Sequence, residues 1–209
     1  MSDFVGYTVV PQEIERLFSR YVDYSKGGRP IGRDGRIRIE YFLDLLSAVH
    51  VEADLITISE FFSKELVQHA NLEACDFIAV PKVGNGLLAE AVAGRIKKRS
   101  VFVRHSILFG RWLEGPARSG QQALLIDDIA CDGEMLCEAI GSLRKSGVYV
   151  KEVWVLVDRA EGDASIRLGE IGVGYKSIFQ LVDADLAKIT RRGTPGDHKS
   201  PDASDAELS

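Results

Sequence analysis

Residues 121–134, Gln-Gln-Ala-Leu-Leu-Ile-Asp-Asp-Ile-Ala-Cys-Asp-Gly-Glu, decide the fold of this chain. Four apolar residues in a row, at 123–126, predict a strand that is buried on both faces. Asp127 and Asp128 end that strand, and a short loop with Gly133 leads into a helical pattern. Open α/β sheets bind ligands at the carboxyl ends of their strands, and the next helix offers its N-terminus to an anion. The stretch favours a ligand site over the alternative, an ordinary strand–turn–helix with solvated acids.

From residue 75 to residue 182 the chain alternates strand patterns with helical patterns. Besides the strand just described, apolar runs predict strands at residues 77–80, 101–103, 153–157 and 176–182. Helical patterns lie at residues 87–96 and 163–170. This alternation implies an α/β fold, a parallel five-stranded sheet flanked by helices with right-handed crossovers. A loop of about sixteen residues, 105–120, predicts a functional lid or a disordered segment.

The N-terminal part carries a different pattern. A helix is predicted to begin at Pro11. Its apolar face would contain Ile14, Leu17, Phe18, Tyr21 and Val22. Glycine and proline at residues 27–30 break the helix, and a strand follows at 37–46, ending around Asp44. A second amphipathic helix is expected at residues 52–70.

Composition places the chain among soluble globular proteins. It has 209 residues, 45% hydrophobic and 27% charged, which suffices for one domain with a full core. The net charge of -5 argues against non-specific nucleic-acid binding. No apolar run has the length of a membrane span, and three cysteines without framework spacing indicate a reduced compartment, so we expect a cytoplasmic protein. One domain is predicted over residues 1–190, followed by a disordered tail at 191–209.

The acid pair and the glycine loop resemble the ribose-phosphate motif of the type I phosphoribosyltransferases. The resemblance implies that Asp127 and Asp128 bind the ribose of phosphoribosyl pyrophosphate, directly or through Mg²⁺. It also implies a 5′-phosphate cradle. The residues in the position of that cradle are Cys131, Asp132, Gly133 and Glu134.

Two further segments match the same family. The turn at residues 81–86, between a strand and a helix, stands where the family has its pyrophosphate loop, which assigns Lys82, Val83 and Gly84 to the phosphates. Taken alone, a plain tight turn is about as good an interpretation. Arg104 matches the first arginine of the family's lid, where a catalytic role is implied.

The resemblance is closest to the orotate phosphoribosyltransferase branch. Residues 157–162, Val-Asp-Arg-Ala-Glu-Gly, are similar to that branch's base-binding motif, so the role of contacting the base falls to Arg159. An N-terminal hood over the base, residues 1–70 or so, is also implied. Its base-binding candidates are Arg33, Tyr41 and Phe42. In that branch two subunits pair, so a homodimer is expected.

Two functional hypotheses remain open. The first is a phosphoribosyltransferase that uses Mg²⁺ and a nucleobase or nucleotide ligand. The second is a catalytically impaired homologue that acts as a nucleotide or ribosyl-ligand sensor, or as a subunit of a larger assembly. Asp132 and Glu134 would repel a phosphate, and the lid lacks the family's further cations. Either those carboxylates cap the following helix, or the ligand has no 5′-phosphate. A generic nucleotide-binding protein is a weaker third interpretation, because no glycine-rich dinucleotide or Walker pattern is present.

Overall fold

The computed structural model describes residues 9–31, 35–81, 86–106 and 110–193. The helices are α1 (Gln12–Ser19), α2 (Leu45–Val49), α3 (Glu52–His69), α4 (Gly86–Arg95), α5 (Glu134–Lys145), α6 (Ala164–Glu170) and α7 (Asp183–Gly193). The strands are β1 (Val22–Ile31), β2 (Ile37–Leu43), β3 (Phe77–Val80), β4 (Arg99–Ser106), β5 (Gly110–Glu114), β6 (Gln122–Ala130), β7 (Tyr149–Arg159) and β8 (Gly174–Leu181).

The main sheet has the strand order β5-β4-β3-β6-β7-β8. Five of its strands are parallel, from β4 across to β8, as the sequence predicted. The edge strand β5 runs antiparallel to β4, with Val103 opposite Leu113. The predicted lid loop is therefore partly wrong, since residues 110–114 form a strand that returns along β4. The parallel arrangement gathers the strands' carboxyl ends on one edge.

Helices cover both faces of the sheet, and each face has its own apolar core. Leu124 and Ile126 belong to the core that also contains residues of α1, α3, α4 and α7. Ala123 and Leu125 belong to the core shared with α5 and α6. This alternation confirms that the strand at the centre of the fold is buried on both faces, and such burial is the main term that stabilises it.

The hood is a separate two-stranded sheet, β1 paired antiparallel with β2. Its register shifts between Tyr24 and Arg29, where Gly27 and Gly28 have φ of 80° and 74°. Arg38 of β2 donates hydrogen bonds to the carbonyl oxygens of both glycines, at 3.1 and 2.6 Å. The sequence-based interpretation of this segment was wrong: the glycines widen a strand as a bulge and do not simply end a helix.

Several elements differ from the prediction in their bounds, and one was not predicted. α1 ends at Ser19, so Tyr21 and Val22 lie outside it. β6 continues past the acid pair to Ala130. α7 was not predicted, and it includes the first residues of the expected tail; residues 194–209 lie outside the described part of the chain. Among the described residues, no helix is both long and apolar enough to cross a membrane.

Candidate functional site at the carboxyl edge of the sheet

β6 carries the acid pair near the carboxyl edge of the sheet. Asp127 pairs in register with Val155 and is 3% exposed, whereas Asp128 is half-buried. Asp127 Oδ1 accepts a hydrogen bond from the N–H of Asp128 at 3.0 Å, and Asp128 Oδ1 accepts one from the N–H of Ile129 at 2.6 Å. Each carboxylate is thus steadied by the backbone of its own strand, and both residues line the same cavity.

The loop after β6 caps α5 with one of its own acids. Asp132 Oδ1 accepts a hydrogen bond from the N–H of Glu134, the first residue of α5, at 3.1 Å. The N–H groups in the first turn of a helix lack intrahelical partners and are the donors that a bound anion would use. Asp132 takes up one of these donors and adds negative charge beside the others. Helix capping by a carboxylate, one of the two alternatives considered from the sequence, is seen at Asp132. The other alternative, a ligand without a 5′-phosphate, stays a prediction.

Two glycines hold this loop against the start of α6. Gly133 has φ +70°, and a Cβ built there would stand 2.9 Å from Cα of Ala164. A Cβ on Gly162 would stand 2.0 Å from the carbonyl oxygen of Cys131, and the N–H of Ala164 donates to that same oxygen at 3.2 Å. Side chains at either glycine would push the loop away from α6, so these glycines set where the loop lies.

A cavity of about 650 Å³ lies between the hood and the carboxyl edge of the sheet. Its size is in the range of sites for small ligands and cofactors. From β1, β2 and the segment after them it is lined by Ile31, Ile39, Phe42, Leu43, Asp44, Leu45 and Leu46. From the sheet, the loop and α5 it is lined by Pro81, Val103, Arg159 and residues 127–136, 138 and 139. The predicted acids, the predicted phosphate loop and Phe42 therefore meet around one cavity.

The described lining of this cavity is acidic. Its carboxylates belong to Asp44, Asp127, Asp128, Asp132, Glu134 and Glu138. Within the described part of the chain, Arg159 is the one Lys or Arg in the lining. A ligand rich in phosphate needs added positive charge to enter such surroundings, since like charges repel strongly where water is partly excluded.

Arg159 lies at the carboxyl end of β7, as predicted, but its guanidinium is bound by the protein. It is 2% exposed. Nη1 donates to the carbonyl oxygen of Tyr41 at 2.6 Å, and Nη2 donates to Asp183 Oδ1 at 2.6 Å. Nη2 and Nε also donate to the two carboxylate oxygens of Glu161, at 2.9 and 3.3 Å. These contacts fasten the hood to the sheet.

The two hood residues predicted to bind the base differ in their positions. Phe42 lines the cavity and is 37% exposed, with the guanidinium of Arg29 5.6 Å from its ring centroid. The ring of Tyr41 packs against Tyr24, with centroids 5.0 Å apart. Tyr41 contributes to the site through its backbone, which Arg159 and Asp183 bind.

Sequence reasoning missed Asp183 and the pairing role of Glu161. Both bind Arg159, and the carboxylate of Asp183 also accepts hydrogen bonds from backbone N–H groups of β2. A signal was present: one residue separates Asp183 from the end of the last strand, at the edge where the other site residues lie. It was not used because the strand was expected to be the last element.

The other predicted residues lie elsewhere. Arg104 is on β4, where its Nε donates to the carboxylate of Glu114 on β5, and its catalytic role stays a prediction. Four further predicted residues are outside the described part of the chain: Arg33, Lys82, Val83 and Gly84.

Three titratable groups in and near the loop have raised pKa values. Burial raises the pKa of Asp158 to about 6, partly offset by the nearby hydroxyl of Tyr175 and reinforced by the charge of Glu161. Burial and the charge of Asp158 raise the pKa of Tyr175 above its ordinary value. Burial, followed by the charges of Asp132 and Glu161, raises the pKa of the Cys131 thiol to about 12. Cys131 is therefore a protonated thiol at neutral pH and a poor nucleophile.

Known proteins resemble this chain in both sequence and structure. The orotate phosphoribosyltransferase of Cenarchaeum symbiosum is 32% identical over 163 residues, which is 77% of this chain and 81% of that protein. The crystal structure of orotate phosphoribosyltransferase from Aeropyrum pernix has a TM-score of 0.68 at 24% identity, covering 86% of this chain and 98% of that one. The Mycobacterium tuberculosis orotate phosphoribosyltransferase in complex with 5-phospho-alpha-D-ribosyl 1-diphosphate gives 0.61 at 22% identity, covering 84% and 97%. No family model matches the chain.

Proposed function

Because this chain belongs to the orotate phosphoribosyltransferase family, we propose that it transfers the phosphoribosyl group of phosphoribosyl pyrophosphate to orotate or a closely similar flat base. The family resemblance and the α/β fold predicted from the sequence are both confirmed, and the chain is a phosphoribosyltransferase. The identity of the base is the finer part of the proposal. It takes its support from the relatives' names and from the hood that covers the cavity.

One observation carries the proposal. The acid pair of β6, the loop that leads into α5, and the hood all border a single cavity at the carboxyl edge of a parallel sheet. That edge is where α/β folds place their ligands. The M. tuberculosis relative binds phosphoribosyl pyrophosphate. With its ribosyl group at the acid pair, a ligand would have its 5′ end toward the loop before α5 and its base toward the hood.

The reaction we propose is displacement of pyrophosphate at the anomeric carbon by a ring nitrogen of the base. Positive charge develops on the ribose in the transition state, as in other glycosyl transfers. Asp127 and Asp128 would hold the ribose hydroxyls, and their negative charges would stabilise that positive charge. The hood would exclude water, which otherwise competes with the base as the nucleophile.

Mg²⁺ is part of the proposal, and the chemistry of the donors fits it. Carboxylate oxygens are preferred Mg²⁺ ligands, and the metal is usually shared with substrate phosphates and water. The described residues contain no cluster of three or more side chains that could hold a metal alone. Asp127 and Asp128 would hold Mg²⁺ through water, and the ion would add positive charge to the acidic lining formed by the described residues.

Titration calorimetry tests the proposal. Phosphoribosyl pyrophosphate with Mg²⁺ is titrated into the native chain, with and without orotate. We expect binding that requires Mg²⁺, because the cavity's carboxylates repel the free polyphosphate. Heat that is equal with and without Mg²⁺, or no heat at all, would contradict it.

A second candidate is the impaired homologue, and Asp132 is the observation that favours it. Its carboxylate occupies the N–H of Glu134, a donor that a 5′-phosphate would use. On this hypothesis phosphoribosyl pyrophosphate binds weakly, and the chain binds a ribosyl ligand without ordinary turnover.

We further propose a homodimer in which the β4–β5 hairpins lie at the interface. Trp112 on β5 is 43% exposed, whereas its neighbour Leu113 packs against the sheet core. An exposed tryptophan on the edge strand of the sheet suits a protein contact. Leu108 and Phe109, the other apolar lid residues, lie outside the described part of the chain.

A further inference from the structure

A hydrogen-bonded junction joins the hood to the sheet. We define the hood latch as the side chains of Arg159, Glu161 and Asp183 together with the backbone of Glu40 and Tyr41. It connects three elements that are far apart in sequence: the end of β7, the start of α7 and the middle of β2. Arg159 is almost fully buried within it, with Asp183 29% and Glu161 21% exposed at the side chain.

Asp183 is the member of the hood latch that binds every other part. Its Oδ2 accepts the N–H of Glu40 at 2.6 Å, and its Oδ1 accepts the N–H of Tyr41 at 3.1 Å. Oδ1 also accepts Nη2 of Arg159 at 2.6 Å. The N–H of Asp183 donates to Glu161 at 2.6 Å, so its backbone is fixed as well.

The same contacts limit what Arg159 can offer a ligand. A guanidinium has five N–H donors. Four are engaged: one at Nε and one at Nη2 by Glu161, the other at Nη2 by Asp183, and one at Nη1 by Tyr41. No more than one N–H, on Nη1, is left to point into the cavity that Arg159 lines.

We propose that Asp183 is a positioning residue for the base end of the site: it holds the hood at a fixed height above the cavity and orients Arg159 so that a single N–H meets the base. This deepens the proposed function and rests on it for the ligand. A single N–H suits one carbonyl oxygen of a flat ring. It does not suit a carboxylate, which an arginine normally grips with two parallel N–H groups.

The test compares Asp183→Asn with a matched control, Asp185→Asn. Asp185 is also in the first turn of α7, where it accepts the N–H of Val182 and pairs with Lys188, but it is not part of the hood latch. Amide hydrogen exchange is measured on the full chain. In Asp183→Asn the amides of Glu40 and Tyr41 should exchange at least about tenfold faster, with amides of β6 unchanged.

Asp185→Asn should leave the exchange of Glu40 and Tyr41 within about twofold of native, even if it lowers overall stability by loss of its cap. Glu161→Gln is a second variant of the hood latch. Its hydrogen exchange tests the proposal if Asp183→Asn does not fold. Exchange of Glu40 and Tyr41 that is native in both latch variants, or equally faster in the control, would overturn the proposal.

Steady-state kinetics then distinguish a role of Asp183 in positioning the base site from a role only in stabilising the fold. Asp183→Asn should raise the KM for orotate by about tenfold and leave the KM for phosphoribosyl pyrophosphate within about twofold, because only the base end contacts the hood. Equal increases in both would overturn the positioning role. Should the native chain not turn over orotate, the proposed function fails while the exchange measurement still decides whether the hood latch exists.

Discussion

Gly133 has a conformation and a neighbour that both resist a side chain. Its φ is +70°, and Ala164 lies where a Cβ would go. Gly172 has nearly the same φ, +69°, but has nothing within 4 Å of its Cβ position. The two glycines therefore separate the cost of the backbone conformation from the cost of the close contact.

We expect Gly172→Ala to lower the free energy of unfolding by about 1–2 kcal/mol, the cost of a left-handed residue with a Cβ. Gly133→Ala should cost about 1–3 kcal/mol more, because the loop must also move away from α6. Urea unfolding of both variants measures this. Equal losses would mean that the contact with Ala164 is not tight.

Asp158 makes stability depend on pH. Its folded pKa of about 6 lies above the ordinary value of 3.8, so folding favours the protonated acid. This contribution to stability is complete below the ordinary pKa and is lost as pH rises through 6. Asp158→Asn removes the dependence. The free energy of unfolding of the variant, relative to that of the native chain, should therefore rise by about 2 kcal/mol from pH 4 to pH 7, as measured by urea unfolding. A difference in stability between the two proteins that is the same at pH 4 and pH 7 would contradict the raised pKa.

At the scale of elements, the sequence predicted what burial dictates. Continuous apolar runs such as residues 123–126 and 153–157 cannot be satisfied except in the interior, so the parallel strands were found. β1 was missed because it is half exposed and lacks alternation; its pairing with β2, and Arg38 bound across the bulge, make it a strand. α7 was missed because few apolar residues anchor it, among them Leu186 and Ile189.

The candidate site, like the fold, was predictable in part. Motifs within single segments predicted the acid pair and the loop before α5, and both line the same cavity. The position of Asp183 after β8 places it at the edge of the site, but nothing local to Arg159 or Asp183 shows that their side chains pair. Contacts of this kind depend on tertiary packing and cannot be seen in local sequence patterns.

The loop before α5 decides between the two functional hypotheses. Replacing Asp132 and Glu134 with threonine removes two negative charges and supplies hydroxyl donors. If the loop impairs phosphate binding, the double variant should bind phosphoribosyl pyrophosphate at least about tenfold more tightly than the native chain in calorimetry. If the native chain already turns over at rates ordinary for an enzyme and the variant is no better, the impaired-homologue hypothesis is wrong.

For the whole molecule, the dimer proposal predicts a native mass of two chains in light scattering at micromolar concentration. Trp112→Asp should shift the population toward monomer, because a charge would be buried at the interface. Tyr149→Asp is the matched control, since Tyr149 is 63% exposed at the opposite end of the sheet. Only monomer in the native protein would reject the dimer.

The central claim is that the cavity beside the acid pair transfers a phosphoribosyl group. The most direct measurement is pyrophosphate release from phosphoribosyl pyrophosphate that depends on orotate and Mg²⁺, in the native chain and in Asp127→Asn/Asp128→Asn. The account predicts release by the native chain and a fall in kcat/KM of about a hundredfold or more in the folded double variant, because the charges that stabilise the ribose are gone. A folded double variant with native kcat/KM, or a native chain that releases no pyrophosphate, would contradict it.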